Sequence, residues 1–406
     1  VRALDDVRVL DMSRVLAGPW ATQILADLGA EVIKVEKPGE GDDTRRWGPP
    51  FLTDPGTGEP GDAAYYLAAN RGKRSITVDL ATPEGQDIIR RLALQSDVLV
   101  ENYKVGGLRK YGLDYESLSR VNPRLVYCSI TGFGQTGPYA PRGGYDFLIQ
   151  GMGGLMSVTG ERDDRPGGGP QKAGIAVADL GAGLYAAIAM LGALYQRTRS
   201  GRGQYIDLAL LDAQVFNMAN QALTYLVSGV SPRRMGNGHA VVVPYQGFPT
   251  ADGEIIIATG NDGQYRKLVE ILGRPEYGDD PRFVSSALRV LNRDVLIPLI
   301  EAETRRWKSA ELCARLDAAS VPCGPINSLE QVFQDPQVVS RGLRKSLPHG
   351  RQRAVPGIAS PLRLSDSPVV YDRGPPVMGE HTDEVLAEKL GLDRETLAGL
   401  HARGVI

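Results

Sequence analysis

The chain has 406 residues, 42% hydrophobic and 23% charged, enough to bury a large core over two or three domains without disulfide or metal support. Its 46 Lys and Arg against 48 Asp and Glu leave a net charge of −2, so nothing global attracts it to nucleic acid or to an anionic membrane. Glycine at 49 residues and aromatics at 6% suit an enzyme rich in tight turns better than a base-stacking platform, and the composition excludes a disordered chain. Val7 to Leu10 predicts a short strand, Trp20 to Leu28 a helix, and Glu31 to Val35 a second strand, a βαβ opening that implies a parallel sheet. Thr82-Pro83-Glu84 predicts a helix start whose apolar positions are Ile88, Ile89 and Leu92. Strands are expected at 97–100 and 124–130, with a short polar helix at 115–120 between them and a Gly/Pro loop at 132–141 after them.

The stretch 151–170 carries seven glycines and no apolar period, which predicts a long loop of functional interest. Ala173 to Leu194 then contains a single charged residue, Asp179, over a length that could span a membrane. A carboxylate near the middle of a span costs about 2.5 to 3.5 kcal/mol, and with four glycines this segment reads as a buried strand-to-helix passage. A further strand is expected at 204–210, and the polar stretch 228–240 reads as a linker. Beyond it, strands at 245–250 and 254–258 and the stripe Tyr265, Leu268, Val269, Leu272 predict a small α+β domain. The chain turns irregular after Pro325, and Thr382 opens a last helix with Val385, Leu386 and Leu390.

Asp179, flanked by Ile175, Ala176, Val177 and Leu180, is expected to be desolvated, which makes a carboxylate a better nucleophile; the ordinary alternative is a helix N-cap. Asn70-Arg-Gly-Lys-Arg74 groups three cations in five residues, either to bind a phosphorylated ligand or as a solvated turn. Lys37 and Lys110 follow expected strands on the side where open α/β sheets bind ligands, and could equally be ordinary surface lysines. The four histidines form no metal-ligand spacing, and no metal is expected. Cys128, Cys313 and Cys323 show no CxxC, and Cys323 has no marked partner histidine, so a reduced, cytoplasmic setting is expected; the charged start (Arg2, Asp5, Asp6, Arg8) reads as free of a targeting segment. No GxSxG or Walker A run occurs. Glu36 imitates a ribose-binding acid, but only Gly18 stands where GxGxxG is needed, so no nicotinamide cofactor is expected.

Val15-Leu-Ala-Gly-Pro19, Asp27-Leu-Gly-Ala-Glu-Val-Ile-Lys-Val-Glu36, Asn70-Arg-Gly-Lys-Arg-Ser75, Val100-Glu-Asn-Tyr103, Gly132-Phe-Gly-Gln-Thr-Gly-Pro138, Tyr145-Asp146 and the run 198–207 together resemble the signature stretches of the family III CoA-transferases, the CaiB/BaiF type. The resemblance implies a Rossmann-like parallel-sheet domain formed by both chain ends and a smaller α+β domain, in an interlocked homodimer. The expected limits are 1–227 for the first part of the large domain, 228–240 for the linker, 241–325 for the small domain and 326–406 for the return. It places the acyl-accepting aspartate on Asp179. Contacts to coenzyme A, the thioester substrate, fall on Val15, Ala17, Lys37, Asn70, Arg71, Lys73, Asn102, Tyr103, Lys110 and Tyr145.

Tyr145 stands where the racemase branch carries an acid/base histidine, which disfavours the alternative activity, 2-methylacyl-CoA racemisation. Asn237-Gly-His-Ala240 and Pro244 to Phe248 replace the glycine run of oxalate-using members. The segment instead resembles members that move CoA from succinyl-CoA to dicarboxylic or similar organic acids, which implies transfer from an acyl-CoA such as succinyl-CoA to a small organic (di)carboxylic acid. Arg45, Arg46 and His239 are the expected cations for the distal carboxylate.

Overall fold

The first apolar run becomes strand β1 (Arg8–Asp11); helix α1 (Ala17–Asp27) follows, and β2 (Glu31–Glu36) returns parallel to β1 with Arg8 opposite Glu31. The computed structural model describes residues 1–351 and 354–406. After β2 come a 3-10 turn at Asp43–Arg46, a hairpin of β3 (Phe51–Thr53) and β4 (Pro60–Ala63), and the short helix α2 (Ala64–Ala68). Strand β5 (Lys73–Thr77) leads to α3 (Pro83–Leu94), where Thr82 Oγ1 accepts from the Gly85 amide and Pro83 occupies the first turn, as the sequence predicts. Strand β6 (Val98–Glu101), helix α4 (Tyr115–Val121) and strand β7 (Val126–Thr131) complete the next unit. Helices α5 (Asp146–Met152), α6 (Leu155–Val158) and α7 (Val177–Ser200) then precede β8 (Tyr205–Ala209), and α8 (Leu210–Asn217) and α9 (Ala219–Ser228) follow it.

The six long-range strands are all parallel, in the order β5-β2-β1-β6-β7-β8. Alternate residues face opposite sides: Val98, Val100, Val126 and Cys128 pack toward α1 and α7, while Leu99 and Tyr127 pack toward α3 and the C-terminal helices. The chain end closes the same unit. The Ser75 carbonyl accepts from the His381 amide, Thr382 Oγ1 accepts from the Thr77 amide, and Arg74 pairs with Glu384 and Glu388 of the helix Thr382–Leu390. Helix α7 is apolar and long enough to cross a membrane by composition alone, yet it buries Ala178, Ala182, Ala186, Met190 and Ala193 in this core.

The chain divides into two compact units, one of 1–155, 173–223 and 337–406, the other of 156–172 and 224–336. The smaller unit is built on an antiparallel sheet, β9 (Tyr245–Pro249), β10 (Glu254–Ala258) and β11 (Cys323–Pro325), over which α10 (Asp262–Ile271) lays Tyr265, Leu268 and Val269. These limits differ from the expected 227, 241 and 325. The stretch 156–172 belongs to the small unit because the Gly160 carbonyl accepts from the Gly236 amide, Arg162 pairs with Asp294 and Arg234 with Asp163. Within the stretch expected to be loop, α5 ends and α6 makes one turn. The segment expected to pass from strand to helix holds no strand at 173–176, and α7 begins at Val177.

Candidate active site

Strands β1, β2 and β5 are laid down in one direction from the centre of the sheet and β6, β7 and β8 in the other, so β1 and β6 flank the switch point where open α/β sheets bind ligands at their carboxyl ends. The loops leaving these two strands are tied together there. The Arg14 amide donates to Asn102 Oδ1 at 2.9 Å, and Asn102 Nδ2 donates to the Arg14 carbonyl at 2.7 Å. Arg14 also lies over the Tyr103 ring, 5.9 Å from its centre.

Beneath this loop is a buried ionic network. Lys34 Nζ donates to the Ser13 carbonyl at 3.0 Å and to Asp42 Oδ2 at 2.9 Å; Lys73 Nζ donates to Asp11 Oδ2 at 2.9 Å, to the Pro19 carbonyl at 2.9 Å and to Asn70 Oδ1 at 3.0 Å. Burial alone would raise the Asp11 carboxyl; Lys73, Lys34 and the Ser13 and Thr22 hydroxyls outweigh it and hold it at about 2. The network fixes the loop above it: the Val15 amide donates to Asp42 at 3.3 Å, and Val15 adopts φ 73°, a left-handed conformation that is strained for a β-branched residue.

Asp179 lies in the first turn of α7, partly buried, two residues past the helix start, and it does not cap the helix. Asp146 does so from α5, accepting from the Ala178 amide at 2.8 Å and the Asp179 amide at 3.4 Å. Burial first, and the Asp146 charge second, push Asp179 up to about 7. Because α7 connects β7 to the parallel β8, it runs against the strands and starts at the carboxyl edge of the sheet, beside the switch-point loops. The contact is direct one turn further on. A Cβ on Gly183 would stand 2.7 Å from the Ala17 carbonyl oxygen, so the start of α1 meets α7 about 6 Å along the helix from Asp179.

The structure thus brings Val15, Ala17, Asn102 and Tyr103 to the edge that carries Asp179, and Lys37 follows the end of β2 there, exposed and paired with Glu40. Lys110 lies in the same connection as Tyr103, exposed, over the Tyr111 ring. Tyr145 is exposed at the start of α5. The side chains of three expected CoA contacts are taken up by the protein itself. Lys73 is fully buried with its ammonium on three protein oxygens, one of them from Asn70, whose Nδ2 donates to the Tyr66 carbonyl. Arg71 grips Asp27 through Nε at 2.8 Å and Nη2 at 2.5 Å, and the Ile358 carbonyl through Nη1. Asp27 ends α1 and Ala17 begins it, so Arg71 is anchored about 15 Å from the ligand edge.

Arg45 is likewise occupied, by Glu36, Asp62, the Tyr66 hydroxyl and the Pro376 carbonyl. Arg46 is exposed, donates through Nη1 to the Glu40 carbonyl and lies 3.8 Å from Asp43. His239 belongs to the small unit, where its ring packs on Tyr245 and Nδ1 accepts from the Val241 amide.

The sequence reading missed Asp42, Asp146, Tyr65 and Trp47. The Tyr65 hydroxyl is pushed above its ordinary value by burial and then by the charges of Asp179, Asp146 and Asp42, and its ring meets Trp47 edge-on at 5.3 Å. Only Asp146 carried a signal, as the second member of the Tyr145-Asp146 pair. Among the described residues no group of three or more His, Cys, Asp and Glu is arranged to hold a metal ion.

The arrangement is a partly buried carboxylate of raised basicity facing the ligand edge of a doubly wound sheet. A family model described as CoA-transferase family III matches residues 4–382. The chain is 52% identical over 391 residues to a succinate–glutarate CoA-transferase of Agrobacterium fabrum, covering 96% of both. It is 42% identical over 408 residues to the succinyl-CoA:glutarate CoA-transferase of Mus musculus, covering all of this chain and 91% of the mouse protein. The crystal structure of a CaiB/BaiF family protein from Brucella suis superposes with a TM-score of 0.85 at 52% identity, over 96% of this chain and 99% of that one. By sequence and by fold, this chain belongs to CoA-transferase family III.

Proposed function

We propose that the protein moves CoA from succinyl-CoA to a C4 or C5 dicarboxylic acid, with Asp179 as the acyl-accepting nucleophile. The observation that carries the reading is Asp179 itself, a carboxylate pushed up to about 7 at the head of α7, next to the loops of the switch point. The names of the Agrobacterium and mouse relatives support the substrate class. The Asp179 carboxylate adds to the donor thioester carbonyl; the carbon–sulfur bond breaks to give a mixed anhydride and the CoA thiolate. The thiolate attacks the aspartyl carbonyl, the donor leaves as a carboxylate, and Asp179 holds CoA as a thioester. The acceptor carboxylate then adds to that thioester, expelling the thiolate, which takes the acceptor's acyl group and frees Asp179.

Both halves need the thiolate kept close, a gain in effective concentration that the loops at Val15, Ala17, Asn102 and Tyr103 would supply by holding the CoA ester. A dicarboxylate brings a second charge that needs a cation; with Arg45 occupied inside the protein, the exposed Arg46 beside Trp47 is the candidate from the large unit. The exposed apolar faces of α7 and α8 support a homodimer.

The test sets wild type and Asp179→Asn against succinyl-CoA and a panel of monocarboxylic and dicarboxylic acids, with new thioesters read by mass spectrometry. Wild type should favour the dicarboxylate over its monocarboxylic counterpart by about tenfold or more, the value of one charge-assisted contact. The variant should lose at least about a thousandfold in turnover. It should also be more stable than wild type at neutral pH. A carboxyl raised from 3.8 to about 7 binds its proton more tightly when folded, so ionising it costs stability as pH rises through that window, and the amide avoids the cost. Transfer within about tenfold of wild type would overturn the nucleophile assignment, and equal use of both acid classes the substrate assignment.

A further inference from the structure

Helix α7 has no capping side chain of its own: Ala176 occupies the N-cap. The carboxylate that meets its first-turn amides comes from α5, and α5 grips the chain at a second point. Asp146 Oδ2 accepts from Gln150 Nε2 at 2.6 Å, and Gln150, buried one turn along the same helix, accepts from the Ala173 amide at 2.9 Å through Oε1 and donates toward the Ile175 carbonyl at 3.4 Å. The approach of α5 is itself constrained. A Cβ on Gly132 would lie 2.5 Å from the Gly144 Cα, so the chain after β7 and the residue before Tyr145 touch backbone to backbone, and Asp146 follows from that contact.

We propose that Asp146 is a positioning residue for CoA transfer: with Gln150 it clamps 173–179, fixes the backbone of Asp179 at the head of α7, and sets a second negative charge beside the reacting carboxylate. The inference rests on Asp179 being the nucleophile. Repulsion between the two carboxylates is present while Asp179 is a free anion and vanishes when it becomes an anhydride or thioester, so Asp146 favours acylation by destabilising the state that precedes it. It also raises the basicity, and hence the nucleophilicity, of Asp179. The Tyr65 hydroxyl of α2 feels both carboxylates, whose charges raise it, and is neutral where Asp179 titrates. The remaining helices packed at this end of α7 meet it without charge, α1 through Trp20 and the Ala17 carbonyl at Gly183, α8 through Asn217 at Gly181.

The test is the pH profile of kcat/KM with succinyl-CoA. Asp146→Asn keeps an acceptor oxygen for the helix amides and removes the charge. Its acidic limb should move down by about one pH unit, and its acylation rate at pH 8, followed by hydroxylamine trapping, should fall by about tenfold. Gln150→Ala loosens the clamp and leaves the charge, so turnover should fall while the limb stays in place. If Asp146→Asn folds poorly, Asp146→Ser, neutral and still able to cap, should give the same shift. An unmoved limb in the neutral variants, with Asp179→Asn inactive, overturns the role of Asp146 and leaves the nucleophile standing; an active Asp179→Asn overturns the nucleophile itself.

Discussion

Lys73 and Arg71 show how far a charged side chain's role depends on what the fold brings to it. Burial pulls the Lys73 ammonium down to about 8 against the upward pull of Asp11, while Asp11 is held at about 2. The signs follow from the two shifts. Asp11 contributes stability that is full above its unfolded value near 4 and is lost as pH falls toward 2. Lys73 is less readily protonated folded than unfolded, so stability rises with pH between about 8 and 10.5. Lys73→Met leaves Asp11 buried without its nearest cation and should cost about 3 to 5 kcal/mol, measured as a lower urea midpoint. Arg71→Ala should also lower the midpoint, yet leave the KM for the acyl-CoA within about twofold, because the guanidinium holds Asp27 and the Ile358 carbonyl. A tenfold rise in KM at an unchanged midpoint would return Arg71 to the ligand. The sequence displays the cation cluster at 70–74 plainly. Its partners lie 44 residues away at Asp27 and 62 away at Asp11, and sheet order decides that they meet.

At the scale of elements, the crossing of α1 on α7 sets the distance between the nucleophile and the loop at Val15. Gly183 is its closest point, with the Ala17 carbonyl 2.7 Å and Trp20 Cδ1 3.1 Å from where a Cβ would stand. Gly183→Val therefore has to push the helices apart; it should cost about 1 to 3 kcal/mol and lower kcat/KM together with the melting temperature. A variant as stable and active as wild type would mean that the crossing tolerates a side chain. The strands of this core were legible because short apolar runs bounded by turns leave few alternatives, and β1, β2, β6 and β7 form within a residue or two of where Val7, Glu31, Asp97 and Arg124 predict them. Two other features were not legible, for different reasons. An aspartate ahead of a long helical run reads as that helix's own cap, whereas here the cap comes from Asp146, 33 residues earlier. Helices α8 and α9 escaped notice because they bury little: α8 only Leu210, Ala213 and Gln214 and α9 no residue, while Phe216, Leu226 and Val227 stand exposed.

That exposure bears on the whole molecule. Along α7, Leu184, Ile188 and Tyr195 turn outward; Ile188 is 62% exposed, and on α8 Phe216 reaches 72% with its ring edge-on to Tyr185 at 5.6 Å. Single exposed apolar residues are ordinary on a protein surface, but several on adjoining helices make a patch of the kind that associates. The two helices pack closely on one another, so their outward residues form one face of the large unit. That face calls for an apolar partner, and a second copy of the chain brings the same face, as a two-fold interface requires. The protein should therefore sediment as a dimer at micromolar concentration. Paired charges on this face, Ile188→Glu with Phe216→Glu, should give a monomer that keeps the secondary structure of the large unit, because neither side chain is buried in its core. If the dimer also completes the site, the monomer loses turnover; if it only stabilises the fold, turnover per chain survives while the melting temperature falls. A wild-type chain that sediments as a monomer would remove the dimer and leave this face needing another occupant.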